Sequence, residues 1–160
     1  MKLLPAYPEC FISGDNNKFG LNISFYRKED SVIASGCISE QYAGYPGIVH
    51  GGMIASLLDE VMGRIVSSIL KKMVVTARIS VSYHRPLPTT IFFLATGIMV
   101  ENQRQQQRLW KAKGRLVGDS GILYAAATGE FFPLPEERYP QILEHLKISK
   151  EQRKVSMEDI

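Results

Sequence analysis

Residues 51–70 read GGMIASLLDEVMGRIVSSIL, and this stretch decides the fold. Wound at 100° per residue, it brings Gly52, Ser56, Asp59 and Gly63 within about 60° of one another. Nearly everything else is Met, Ile, Leu or Val. The spacing therefore predicts one long helix, apolar around most of its girth, with a thin stripe of small and polar residues centred on a carboxylate. Small residues let a second backbone or a ligand come close. Glu60 and Arg64 stand at i, i+4 in the favourable order and are expected to pair, which leaves Asp59 without a local partner.

On either side of the helix the sequence reads as strands. Leu21 to Arg27 and Val32 to Ser39 form a hairpin about the polar turn Lys28-Glu29-Asp30, and residues 40–50 read as a loop. Beyond the helix come Val74 to Tyr83, Ile91 to Glu101, Arg108 to Val117 and Ile122 to Phe132. Ile91 to Glu101 is apolar on both alternating sets, which predicts cover on both faces. Arg108 to Val117 alternates, with Lys111, Lys113 and Arg115 on one side and Trp110, Ala112 and Leu116 on the other. A further helix is expected from near Pro140, with Ile142, Leu143 and Leu146 on one face, followed by a polar tail. Four consecutive strands imply hairpin links and an antiparallel sheet. The predicted class is α+β: a curved antiparallel sheet wrapped around one long central helix, in a single domain spanning 1–160 with its core at about 20–132.

Composition narrows the function. The chain is 45% apolar and 22% charged with a formal charge of +3, and it has no run of like charges to suggest a nucleic-acid partner. Pro5 and Pro8 interrupt the apolar start, so no signal peptide is expected there. Asp59, Glu60 and Arg64 interrupt the longest apolar run, so no membrane span is expected either. Cys10 and Cys37 lie apart, with no metal-ligand spacing; they read as ordinary small apolar residues, no metal is expected, and a reducing cytoplasm fits.

The chemistry concentrates at the start of the helix. In Gly47-Ile48-Val49-His50-Gly51-Gly52, two glycines open a helix whose first N–H groups have no intrahelical acceptor and whose dipole favours negative charge. That is the geometry of an oxyanion hole. His50 reads as the residue that fixes this turn, one ring nitrogen bonded to backbone, because Asp59 lies nine positions on and roughly across the helix. Asp59 itself admits two readings: a catalytic carboxylate, or a structural one bonded to a neighbouring strand or subunit.

The segment YPGIVHGGMIASLLDEVMG resembles the signature of the hotdog thioesterase superfamily in its PaaI-like branch, with H-G-G at the helix start and an acid nine positions after the His. TARISVSYHRPLP resembles that family's third strand, and GRLVGDSGILYAAATGEF its closing hairpin. The resemblance implies an acyl-CoA thioesterase, with coenzyme A as part of the substrate and no separate cofactor. It also implies a homodimer or homotetramer whose sites lie between subunits. Asp59 would be the nucleophile or general base, the Gly51 N–H would polarise the thioester carbonyl, and Thr76, from the partner subunit, would help place the attacking water. His50 and Gly52 would contact the substrate. Some relatives carry Asn or Gln six residues before the His, where this chain has Gly44, with Gln41, Tyr42 and Tyr45 as candidate substitutes. That departure keeps open an alternative, a non-catalytic acyl-CoA-binding or sensing protein.

Coenzyme A ends in phosphates, which call for cations near the mouth of a site. His84, Arg85, Arg104 and Arg108 are available, and Arg85 is the expected contact. Lys111, Lys113 and Arg115 read as a solvated strand face, and Arg78 as either an intersubunit ion pair or a ligand contact.

Overall fold

A computed structural model describes residues 1–100, 108–148 and 155–160. The elements in order are β1 (Lys2–Leu3), β2 (Phe25–Lys28), β3 (Ser31–Gly36), β4 (Ala43–Tyr45), β5 (Ile48–Val49), α1 (Gly51–Leu70), β6 (Val74–Tyr83), β7 (Phe93–Met99), β8 (Trp110–Gly118), β9 (Leu123–Pro133) and α2 (Tyr139–His145). A seven-stranded antiparallel sheet in the order β1-β2-β3-β7-β8-β9-β6 packs one face against α1. Helix α1 begins and ends where the sequence pattern places it. Its C-cap, Lys71, turns into the left-handed region at φ 51°. The side chains of Leu57, Leu58, Val61, Met62, Ile65 and Val66 are fully buried. At Gly97 a Cβ would come within 2.3 Å of the Val61 carbonyl, so only glycine lets α1 lie this close to β7.

Three expectations are corrected. The strands after α1 are not all joined by hairpins: β6 pairs with β9 at the edge, whereas β7 pairs with β3 and β8. The Arg85-Pro86-Leu87-Pro88 segment makes no tight turn but carries the chain across, with Leu87 buried. The second correction concerns β7. Its Phe93 and Ala95 are buried against the helix, yet Leu94 and Ile98, on the other face, are exposed within the single chain. Third, residues 40–50 are structured, as a 3-10 turn at Glu40–Tyr42 and a small β4–β5 hairpin. The polar side of β8 is exposed as read, and Trp110 is packed partly against the core. Cys10 is part-buried, but Cys37 is exposed rather than a core residue.

Strand β6 is the edge of the sheet, ten residues long, with no neighbour on its outer side among the described residues. A β-bulge between Thr76 and Arg78 shifts its register. In a regular strand Thr76 and Tyr83, seven apart, would face opposite ways. The extra residue, Ala77, puts both on the helix side, across from Phe131 and Ala125, while Arg78, Ser80 and Ser82 take the outer side.

Candidate active site

The loop before α1 is held from several directions. The His50 N–H donates to the Tyr42 carbonyl at 2.9 Å and Val49 N–H to Leu87 O at 2.9 Å. Glu40 is a clamp that the sequence reading missed: one carboxylate oxygen accepts from Gly47 N–H at 2.9 Å, the other from the Thr89 hydroxyl at 2.7 Å. These two bonds hold its carboxyl below the usual glutamate range. His50 is the N-cap of α1, as expected: its Nδ1 accepts from Gly52 N–H at 2.9 Å, so the neutral ring carries its proton on Nε2. Gly44 lies beneath this ring, where an added Cβ would sit 3.2 Å from His50 Cδ2, so an Asn or Gln there would crowd the cap. Of the candidate substitutes, Tyr42 is turned away and donates to Phe19 O and Gly20 O, while Tyr45 lines the cleft at the helix start.

That cleft, of about 590 Å³, is bordered by Gly44, Tyr45, His50, Gly51, Tyr83 and Arg85. Arg85 lines this cleft, exposed beside His84. Arg104 lies outside the described residues, and Arg108 is exposed. Arg78 is on the outer face of β6. Tyr83, a second residue the sequence reading passed over, donates from its hydroxyl to the Gly51 carbonyl at 2.8 Å and lays its ring 3.5 Å from where a Gly51 Cβ would be. The alternation of β6 read straight from sequence hides it, because only the bulge aims Thr76 and Tyr83 to one side.

Asp59 opens onto a different cavity, of about 420 Å³. The Thr76 hydroxyl donates to its Oδ1 at 2.8 Å. Thr76 and Asp59 of one chain are thus brought together. Burial raises the Asp59 pKa above the usual aspartate value; the Thr76 bond opposes this and the nearby Glu60 charge adds to it. Glu60 pairs with Arg64 as expected, at 2.8 Å. Arg64 also donates to Pro5 O and Ser13 Oγ and lies 4.5 Å over the Phe25 ring, which ties the first residues to the helix. Eight residues separate Gly51 from Asp59, a rise of about 12 Å along the helix. The structure therefore brings Asp59 together with Thr76, and Gly51 with His50, Gly52, Tyr83 and Arg85, but keeps the two groups apart within one chain. Among the described residues no group of three or more His, Cys, Asp or Glu could hold a metal ion.

A helix backed by an antiparallel sheet, with H-G-G at its cap and a carboxylate at its waist, is matched by a family model described as Thioesterase superfamily, over residues 46–116. Over that segment the chain resembles the thioesterase superfamily. Its fold is the hotdog fold of that family's solved structures. A thioesterase superfamily protein of known crystal structure is 28% identical with a TM-score of 0.67, over 76% of this chain and 62% of that one. A Streptococcus mutans protein crystallised with acetyl-CoA shares the fold at 23% identity and a TM-score of 0.62, over 71% of this chain and 89% of its own. Among curated proteins, the acyl-coenzyme A thioesterase THEM4 of Mus musculus is 31% identical over 98 residues, 59% of this chain and 40% of THEM4. The chain thus spans less than half the length of the curated relatives it matches. No helix among the described residues is long and apolar enough to cross a membrane.

Proposed function

We propose that this chain hydrolyses acyl-CoA thioesters to the free acid and CoA, as a homo-oligomer whose sites each combine two chains. The observation that carries the reading is the Asp59–Thr76 pair in the wall of a cavity that is otherwise partly apolar. A carboxylate made more basic by burial is suited to take a proton from water at neutral pH. With Oδ1 held by Thr76, Oδ2 is left to receive that proton. The water oxygen bonds to the thioester carbon, and the carbonyl oxygen becomes an oxyanion. Collapse breaks the C–S bond, and the CoA thiolate leaves with a proton from Asp59. The oxyanion requires a donor, and Gly51 of the same chain is about 12 Å away along the helix. Strand β6 resolves this. If two copies join their free β6 edges antiparallel about Ile79–Ser80, the Thr76 end of one strand lies beside the Tyr83 end of the other. Asp59 and Thr76 then face the N–H of the partner's Gly51, whose carbonyl accepts from the Tyr83 hydroxyl of that same chain. His50 borders the substrate there, held by the Gly52 N–H, and Arg85 stands by the CoA phosphates. The reaction requires no cofactor beyond CoA itself, and a cytoplasmic setting suits the two free thiols.

The test is release of free thiol from a panel of acyl-CoAs. Asp59→Asn is expected to lower turnover by roughly 10²–10⁴, while Glu60→Gln, which only loosens the Arg64 pair, costs far less. Equal losses would overturn the assignment. A second reading, non-catalytic acyl-CoA binding, is favoured by Gly44 in place of an amide side chain. It predicts binding of acyl-CoA that Asp59→Asn leaves intact, with no thiol released by the wild type.

A further inference from the structure

Two stretches of chain wall the cleft at the start of α1. The loop of residues 44–51 carries the His50 cap and the Gly51 N–H, and residues 83–87 carry Tyr83, His84 and Arg85. Main-chain bonds join the walls: Val49 N–H donates to Leu87 O at 2.9 Å and Thr89 N–H to Gly47 O at 3.0 Å. Glu40, from the 3-10 turn, closes a ring there, because its two oxygens accept from the Gly47 N–H and the Thr89 hydroxyl. The two ends of that ring differ in freedom. Thr89 is buried, so packing sets its place. Gly47 is exposed at φ 74°, with open space where a Cβ would be, so hydrogen bonds rather than packing hold it.

We infer that Glu40 is a positioning residue: by fixing the Gly47 turn against the buried Thr89, it sets the spacing of the two walls and the place of the Gly51 N–H between them. The task given to that N–H rests on the thioesterase reading. Between Gly47 and the helix lie only Ile48, Val49 and His50, and Ile48 is bridged to Pro88 as Val49 is bonded to Leu87. A shift of the turn is therefore passed along β5 to the first residue of α1. Displacing a catalytic donor by about 1 Å costs on the order of 10²-fold in rate. The fold itself depends little on Glu40, because the exposed Gly47 N–H takes water when the carboxylate is removed. What is lost is the fixed spacing.

Glu40→Ala is expected to lower kcat for thiol release from acyl-CoA by roughly 10- to 100-fold, with KM moving little. Glu40→Gln should recover most of that loss, since its amide oxygen still accepts from the Gly47 N–H and its nitrogen donates to the Thr89 hydroxyl. Thr89→Val, which removes one arm of the ring at nearly constant volume, should fall between the two. Amide hydrogen exchange followed by NMR reads the walls without catalysis. In Glu40→Ala it should quicken roughly tenfold at Gly47, Val49 and Thr89, return toward wild type in Glu40→Gln, and stay unchanged in β8 and β9. A Glu40→Ala variant with the kcat of wild type overturns the inference and leaves the thioesterase reading in place. Unchanged exchange at Val49 and Thr89 overturns it too, as does a Gln variant as impaired as the Ala variant. If the wild type releases no thiol while Glu40→Ala quickens exchange across the walls, the thioesterase reading falls and the positioning by Glu40 stands.

Discussion

A site that draws Asp59 from one chain and the Gly51 N–H from another can be tested by mixing two dead variants. Gly51→Pro is a clean deletion of the donor. Gly51 is the first residue of α1, the position where proline suits a helix best. His50 before it is already extended, at φ −61° and ψ 134°, as a residue preceding proline must be. An added Cβ at Gly51 meets nothing closer than the Tyr83 ring at 3.5 Å. Loss of one oxyanion donor lowers turnover by roughly 10²–10³, and Asp59→Asn removes the base. Each variant alone is therefore nearly inactive. In a heterodimer of the two, one site carries both defects and the other carries neither. Random reassociation makes half of the dimers mixed, so an equimolar mixture should regain about a quarter of wild-type turnover through the symmetry of the pair. The assay is thiol release after unfolding and refolding the two variants together. A mixture no more active than its components, with mixed dimers demonstrated by a mass tag, would refute the two-chain site.

Three further outcomes are expected. Because burial raises the Asp59 pKa in the folded state above the 3.8 of an unperturbed aspartate, the native protein binds a proton more tightly than the unfolded chain, and its stability falls as pH rises through that interval; Asp59→Asn should thus melt higher than wild type at neutral pH, with the advantage vanishing below about pH 3.8, and an equal or lower melting temperature at pH 7 would contradict the burial. Sedimentation equilibrium at micromolar concentration should give a multiple of 18.0 kDa, and a mass of 18.0 kDa would remove the β6 pairing. Arg85→Ala should weaken CoA binding more than pantetheine thioester binding, by a margin that shrinks at high salt because the contact is exposed; equal losses for both ligands at both salts would put the phosphates elsewhere.

Much of the framework was legible in the residues. The extent of α1, its H-G-G cap, the Glu60–Arg64 pair and the span of β6 follow from period and spacing, because these are local properties of a chain wound at 100° or pleated at 180° per residue. The isolation of Asp59 was legible too, since no neighbour on its helix can satisfy it. Its partner was harder: Thr76 was reached only through the family resemblance, and its bond to Asp59 within the chain appears only in the structure.

What the tertiary structure alone decided is everything that depends on which strands meet. The order of the sheet, with β6 at its edge and β7 inside, depends on a connection that runs across rather than turns back, and no local pattern encodes that. The bulge at Ala77 sends Thr76 and Tyr83 to the same face although they stand seven residues apart, so Tyr83 could not be seen from alternation. The lining of the Asp59 cavity joins Leu4, Ile142 and Ile160, which are scattered over nearly the whole chain. Contacts between distant segments reward the chain only once the whole is folded, so neither helix period nor strand alternation carries any mark of them.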